Sequence, residues 1–338
     1  MDKHTIVYLS RKPSSGQISI ERVFRAIIQQ IQQEYSATFV QVPRARANLF
    51  SLLSNLFFSF FVKADIIHVT GDINYCIIPL HSCKRILTIH DLGGYYHHKA
   101  RGGIHFFFMK LLWWHLPLKL STKVTCISDF TYKELLKNFP WCRDKIVVIP
   151  DPLPNGFFYS PDYIFTPNKP ILLQIGTKDN KNLIRLIESI KGFTCHLRII
   201  GPLSENQYKT LKESNIEYSN TSNLSNEEII LEYKRCTVLC IISTYEGFGM
   251  PIIEAQAIGR PVLTSNLSPM KEVANGAALL VDPYDIHSIR AGIEKICSDS
   301  SFCKELIDLG LINASKYHAK NITEEYSSVY SDVLKSSQ

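Results

Sequence analysis

The chain has 338 residues, 45% of them hydrophobic and 20% charged, with a formal net charge of +6. That length suits two domains of roughly 150 residues, and the balance excludes disordered, low-complexity and repeat architectures. Nine scattered cysteines, without a Cys-x-x-Cys pair, exclude a disulfide framework and a structural zinc site and fit a reducing cytoplasm.

The lead MDKHTIVYLS is short and charged and runs into a strand. It has neither the long apolar core nor the cleavage site of a secretory signal, so a cytoplasmic location is expected. β-rich runs at 5–10, 38–42, 66–70, 85–90, 123–128 and 146–150 alternate with helical patterns, a βα succession. Two aromatic, apolar stretches in this half, 49–62 and 104–118, are too short to span a bilayer. Residues 1–150 hold 19 lysines and arginines against 9 acidic residues, whereas residues 151–338 hold 18 against 22. A basic half bearing aromatic side chains suits peripheral contact with an anionic membrane. Phe, Leu and Trp at helical spacing are more often core, so 49–62 is read as core, while 104–118 stands open between core and membrane contact. No nucleic-acid-binding signature accompanies the charge, and no nucleic-acid partner is expected.

Six prolines between 150 and 170 and the lack of periodicity there read as an interdomain linker. A second series follows, with strands expected at 171–176, 196–201, 238–243, 261–265 and 277–281, and helices at 182–191, 226–235, 251–258, 284–298 and 302–314. The expected division is 1–155, 156–320, and a helix over 321–338 that packs back on the first domain. Two α/β domains with a hinge imply a cleft for a small molecule. No Gly-x-Gly-x-x-Gly follows the first strand and no P-loop is present. No Asp-x-Asp follows a predicted strand, so neither a metal nor a cofactor is expected.

The run STYEGFGMPIIEAQAIG, 243–259, places two carboxylates where a strand hands over to a helix. Glu246 falls in the loop and Glu254 near the helix start. At the carboxyl end of a parallel strand, a carboxylate there accepts hydroxyls beside an anion site. The plainer reading is helix capping, for which one acid suffices. Cys236 and Cys240 have helical spacing but no nearby histidine, and read as buried thiols.

The run from Glu246 to Glu254 resembles the Glu-x7-Glu signature of the family-4 retaining glycosyltransferases. AQAIGRP (255–261) and GAALLVDP (276–283) continue that pattern, and the segments 175–183, 88–92 (TIHDL) and 126–131 are similar to further parts of it. The likeness is dense from about 171 to 296 and thin over the first hundred residues. It implies the GT-B fold: two Rossmann-like α/β domains with parallel sheets facing a central cleft, the first for the acceptor and the second for a nucleotide-sugar donor.

Carried over residue by residue, the resemblance gives Glu254 the ribose hydroxyls, Glu246 the transferred sugar, Lys181 the donor diphosphate, and the backbone of Gly247, Phe248, Gly249 and Met250 the phosphate and sugar. His90 lies beside the reacting sugar, and Gly16 stands where relatives have a Gly-Gly pair near the phosphates. Many relatives place Arg before the Lys, whereas this chain has Asn180. Either Lys178 supplies the second cation or the site works with one, with a first-domain cation such as Arg11 or Lys12 as a candidate to compensate. His97 and His98 have no matched context and are taken as surface. The implied activity is sugar transfer from a nucleotide-diphosphate sugar to a hydroxyl with retention, as in surface-polysaccharide assembly, at the inner face of the membrane with a lipid-linked acceptor. A soluble or protein acceptor, a nucleotide-sugar epimerase and a non-catalytic binding protein are the alternatives.

Overall fold

The computed structural model describes residues 3–12, 19–45 and 48–336, which form two units, residues 1–152 with 319–338, and residues 153–318. In the first unit, β1 (Thr5–Ser10), β2 (Ser36–Gln41), β3 (Ile66–Thr70), β4 (Lys84–Ile89), β5 (Lys123–Cys126) and β6 (Ile146–Val148) make one parallel sheet in the order β2-β1-β3-β4-β5-β6. Its helices are α1 (Ser19–Ile31), α2 (Leu49–Phe60), α3 (Gly93–Arg101), α4 (Gly103–Met109), α5 (Leu116–Leu120) and α6 (Asp129–Asn138). A wide π turn, Lys110–His115, joins α4 to α5. All five residues of β3 are buried, as expected of a parallel strand covered on both faces.

One face of that sheet carries a row of polar groups that need partners. His68 on β3 is hydrogen-bonded to the Thr88 hydroxyl at 2.7 Å, and Thr88 to Thr125 at 2.7 Å. The other imidazole nitrogen of His68 meets the Tyr330 hydroxyl at 2.7 Å, and Tyr330 reaches the Tyr8 hydroxyl at 3.0 Å. Tyr330 lies on the helix Ala319–Lys335, which covers this row and packs beside α1. Burial holds His68 neutral, its pKa pushed down to about 3.

The second unit repeats the plan with β7 (Ile171–Ile175), β8 (His196–Ile200), β9 (Tyr218–Thr221), β10 (Val238–Ile241), β11 (Val262–Ser265) and β12 (Leu279–Val281), ordered β12-β11-β10-β7-β8-β9 and all parallel. Helices α7 (Leu183–Ser189), α8 (Glu205–Ser214), α9 (Asn226–Arg235), α10 (Met250–Ile258), α11 (Met270–Ala274), α12 (Ile286–Ser298) and α13 (Ser300–Ser315) surround it. β9, α8 and α11 were not among the elements read from the sequence. β9 is short and half-buried at the sheet edge, which leaves too weak a pattern to read.

The proline-rich stretch expected as a linker is instead packed into this unit. Phe157 is buried with its ring 5.7 Å from Tyr233, and the Ser160 amide donates to the Ile258 carbonyl at 3.1 Å. The buried Arg260 guanidinium donates to the carbonyls of Lys234 (2.7 Å), Gly259 (3.0 Å) and Ser160 (3.3 Å), fastening the stretch to α9 and α10. Its two terminal nitrogens are satisfied in this way, which makes the buried cation tolerable, while Nε finds no partner among the described residues.

Candidate functional site

In an open parallel sheet, the gap beside the first strand, where the strand order reverses, opens at the carboxyl ends. In the second unit that gap lies between β7 and β10. The loop after β7 runs through Gly176 to the turn Asp179–Lys181, and the loop after β10 runs through Glu246 to α10. The two loops are tied together. Thr244 donates its amide to the Asn180 carbonyl at 2.8 Å, and the Asn180 side chain donates to the Tyr245 carbonyl at 2.8 Å.

Across this junction the Lys181 ammonium meets the Glu246 carboxylate at 2.6 Å, both largely shielded from solvent. Gly176 makes room for it: with φ at +87°, a Cβ there would stand 3.0 Å from the Lys181 stem. The plainer capping reading of the paired acids fails on geometry. The residue preceding α10 is Gly249, at φ +111°, and no side chain caps the helix. Glu254 sits one turn into α10, buried, and accepts the Tyr233 hydroxyl at 2.6 Å. Phe248 turns its ring inward against Tyr317, 5.6 Å away, so in the Gly247–Met250 segment it offers backbone only.

The substitution at Asn180 acquires a structural sense here, since its amide holds the two loops in register. Lys178 is exposed, and among the described residues no ion pair engages its ammonium. Arg11, a candidate compensating cation, is committed elsewhere: its guanidinium lies 3.2 Å from Glu21 and 3.3 Å from Asp72. Lys12 is exposed. Gly16, with Ser14 and Ser15, lies outside the described residues.

The first unit has its own gap between β1 and β3, where the Arg11, Glu21 and Asp72 cluster sits at the strand ends. Beside it opens a cavity of about 570 Å³, lined among others by Asn48, Leu52, Gly71, His90, Met109 and Trp113. The π turn shapes this lining. It buries Trp114 and turns Trp113 so that its ring lies 4.3 Å from Tyr75 and its N–H donates to the Asp72 carbonyl at 3.2 Å.

His90 follows β4 and is buried, with Nδ1 3.9 Å from Asp151. Its Nε2 and the Asp151 Oδ1 are buried without a hydrogen-bond partner among the described residues. Burial outweighs the attraction between the two. It pushes His90 down to about 3, with Arg11 acting in the same direction, and pushes Asp151 up to about 7. The imidazole is therefore neutral at physiological pH.

Asp151 was read only as part of a linker, although an acid directly after the last apolar run of a βα series already occupies a strand's carboxyl end. His98 also needs correction, because it lines the cavity rather than the open surface, its ring tilted 5.1 Å from His105 and its buried Nδ1 without a hydrogen-bond partner among the described residues. Among the described residues no three His, Cys, Asp or Glu side chains gather as a metal-ligand set.

Residues 4–154 match the family model described as Glycosyltransferase Family 4, and residues 159–310 match Glycosyl transferases group 1. The O-antigen chain mannosyltransferase B of Escherichia coli is 26% identical over 281 residues, covering 73% of this chain and 70% of that protein. Among solved structures, the sucrose-phosphate synthase of Thermosynechococcus elongatus superposes with a TM-score of 0.78 over 99% of this chain and all of its own, at 17% identity. HepE of Anabaena, in complex with UDP and glucose, does so with a TM-score of 0.72 over 97% of this chain and all of its own, at 12% identity.

Proposed function

Since the chain belongs to the glycosyltransferases, joining a family 4 unit to a group 1 unit in the GT-B fold, we propose that it moves a sugar from a nucleotide-diphosphate donor to a hydroxyl acceptor with retention of configuration. The observation that carries this reading is the shielded Lys181–Glu246 pair at the reversal point of the second sheet. A lysine whose partner is a hydroxyl-accepting carboxylate is poised to exchange that partner for a diphosphate oxygen, leaving Glu246 to the sugar.

Glu254, oriented by Tyr233, accepts the ribose hydroxyls, and the backbone entering α10 faces the phosphate. The departing diphosphate is then neutralised by Lys181 and helix N–H groups, and transfer proceeds in the presence of a chelator. In the first unit, the neutral His90 hydrogen-bonds a hydroxyl of the reacting sugar and Asp151 sets its orientation. With no carboxylate assigned as a nucleophile, the acceptor attacks the face the diphosphate leaves, through an oxocarbenium-like state. The leaving phosphate takes the acceptor proton.

A hexosyl donor, mannosyl foremost, is the reading that the O-antigen relative supports. A lipid-linked saccharide as acceptor fits the basic first unit, with the protein peripheral at the inner membrane face. A panel of nucleotide sugars, followed by nucleoside diphosphate release and anomeric analysis of the product, tests all of this. Release with none of the donors, or inversion at the anomeric carbon, overturns it.

A further inference from the structure

Helix α2 is built inside out. Its buried positions are Ser51, Asn55 and Ser59, one polar stripe at i, i+4 and i+8, while Leu49, Phe50, Leu53, Phe57 and Phe60 face outward. The expectation that 49–62 is core therefore holds only for Leu52, Leu56, Phe58 and Val62, which are partly buried against the first unit's core. The exposure is large: Phe50 keeps 67% of its surface in solvent and Phe57 keeps 70%.

The helix is pinned in this roll. Asn55 exchanges two hydrogen bonds of 3.0 Å with the Arg44 backbone and donates to the Tyr75 hydroxyl at 2.8 Å. Rolling the phenylalanines inward would break all three and leave buried polar groups unpaired. Helix α4 has no buried residue, and Phe107 is 62% exposed. Both helices contribute to the lining of the cavity that His90 also lines, and a second hollow of about 400 Å³ flanks α2 between Pro43, Phe57 and Phe61.

Charge says what covers this face. Residues 35–64 and 92–128 contain no aspartate or glutamate, but together hold eight lysines and arginines. Arg44 lies over the Phe50 ring at 5.3 Å, and Lys63, Lys99 and Arg101 are exposed. A second copy of the same face would bring cations against cations, whereas an anionic bilayer offers both the acyl boundary and the opposite charge.

Resting on the reading of a lipid-linked acceptor, we propose that α2 and α4 embed in the headgroup–acyl boundary of an anionic membrane. The His90 cavity then receives its acceptor laterally from the lipid.

The test is co-sedimentation of the full chain with vesicles of phosphatidylcholine alone or with about 30 mol% phosphatidylglycerol. The bound fraction is expected to rise at least fivefold with phosphatidylglycerol and to fall severalfold in about 0.5 M salt. Phe57→Ser combined with Phe107→Ser is expected to cut binding about tenfold, whereas Leu231→Ser, an exposed apolar site on the second unit, leaves it unchanged. Equal binding to both vesicles, undiminished binding by the double variant, or a dimer that the double variant dissolves would each overturn the proposal. Donor turnover on a water-soluble acceptor, measured in the same preparations, separates this proposal from the transferase reading. If it persists without vesicle binding, only the membrane face is refuted; if it is absent, the transferase reading falls with it.

Discussion

The two sheets reverse at equivalent places and both carry ion pairs there, Lys181 with Glu246 in the second unit and Arg11 with Glu21 and Asp72 in the first, but what surrounds those pairs differs. In the second unit the pair is framed by glycines and a helix start. In the first unit, the cavity beside the cluster is lined by tryptophans, leucines and the imidazole of His90, which burial keeps neutral and which lies 3.9 Å from the buried Asp151 carboxyl. A charged, backbone-rich site suits a ligand that is much the same from one enzyme to another, such as a nucleoside diphosphate. A largely aromatic and apolar cavity suits one that varies.

The comparison breaks most sharply at Glu246. Glu246→Ala is expected to lower transfer about 10³-fold and strand the Lys181 charge, as loss of a preorganised polar contact at a reacting centre does; full activity in a steady-state assay would remove the pair from the site. His90→Ala is expected to cost about 10²-fold in kcat with a smaller change in donor KM, since a neutral imidazole contributes through hydrogen bonding. Equal loss in an Asp151→Asn variant would show that the two act together.

Asp151 also carries a stability signature. Its folded pKa, about 7, stands above the ordinary carboxyl value, so the folded state holds the extra proton, and its contribution falls as pH rises from about 4 through 7. Asp151→Asn should therefore gain roughly 2–3 kcal/mol relative to the wild type between pH 5 and pH 8 in urea unfolding. A parallel pH profile for both proteins would return Asp151 to its ionised form. Lys178→Ala sharpens the other side with the smallest effect, a change of about threefold or less in donor KM, because an exposed ammonium is screened. A hundredfold loss would make Lys178 the missing cation.

How much of this was readable depended on whether a function is local in sequence. Glu246, Gly249 and Glu254 share one loop-helix junction, so spacing and residue type placed them together. Lys181 lies 65 positions from Glu246 and was reached through the family pattern, which did not foretell their direct contact. Asp151 and His90 are separated by 61 positions and meet only because β4 and β6 end at one edge of the same sheet. The inside-out roll of α2 was hidden for a different reason. Its polar stripe is only three residues, and large apolar side chains at helical spacing made the phenylalanines read as core.

The helix that bears Tyr330 has a consequence for synthesis. The first unit's six strands leave the ribosome early, yet the polar row of His68, Thr88 and Thr125 is covered only by a segment that follows the whole second unit. The contiguous second unit can complete itself while the chain is still growing. The first must wait with an uncapped sheet, so the half of the protein that is translated first is the half that matures last.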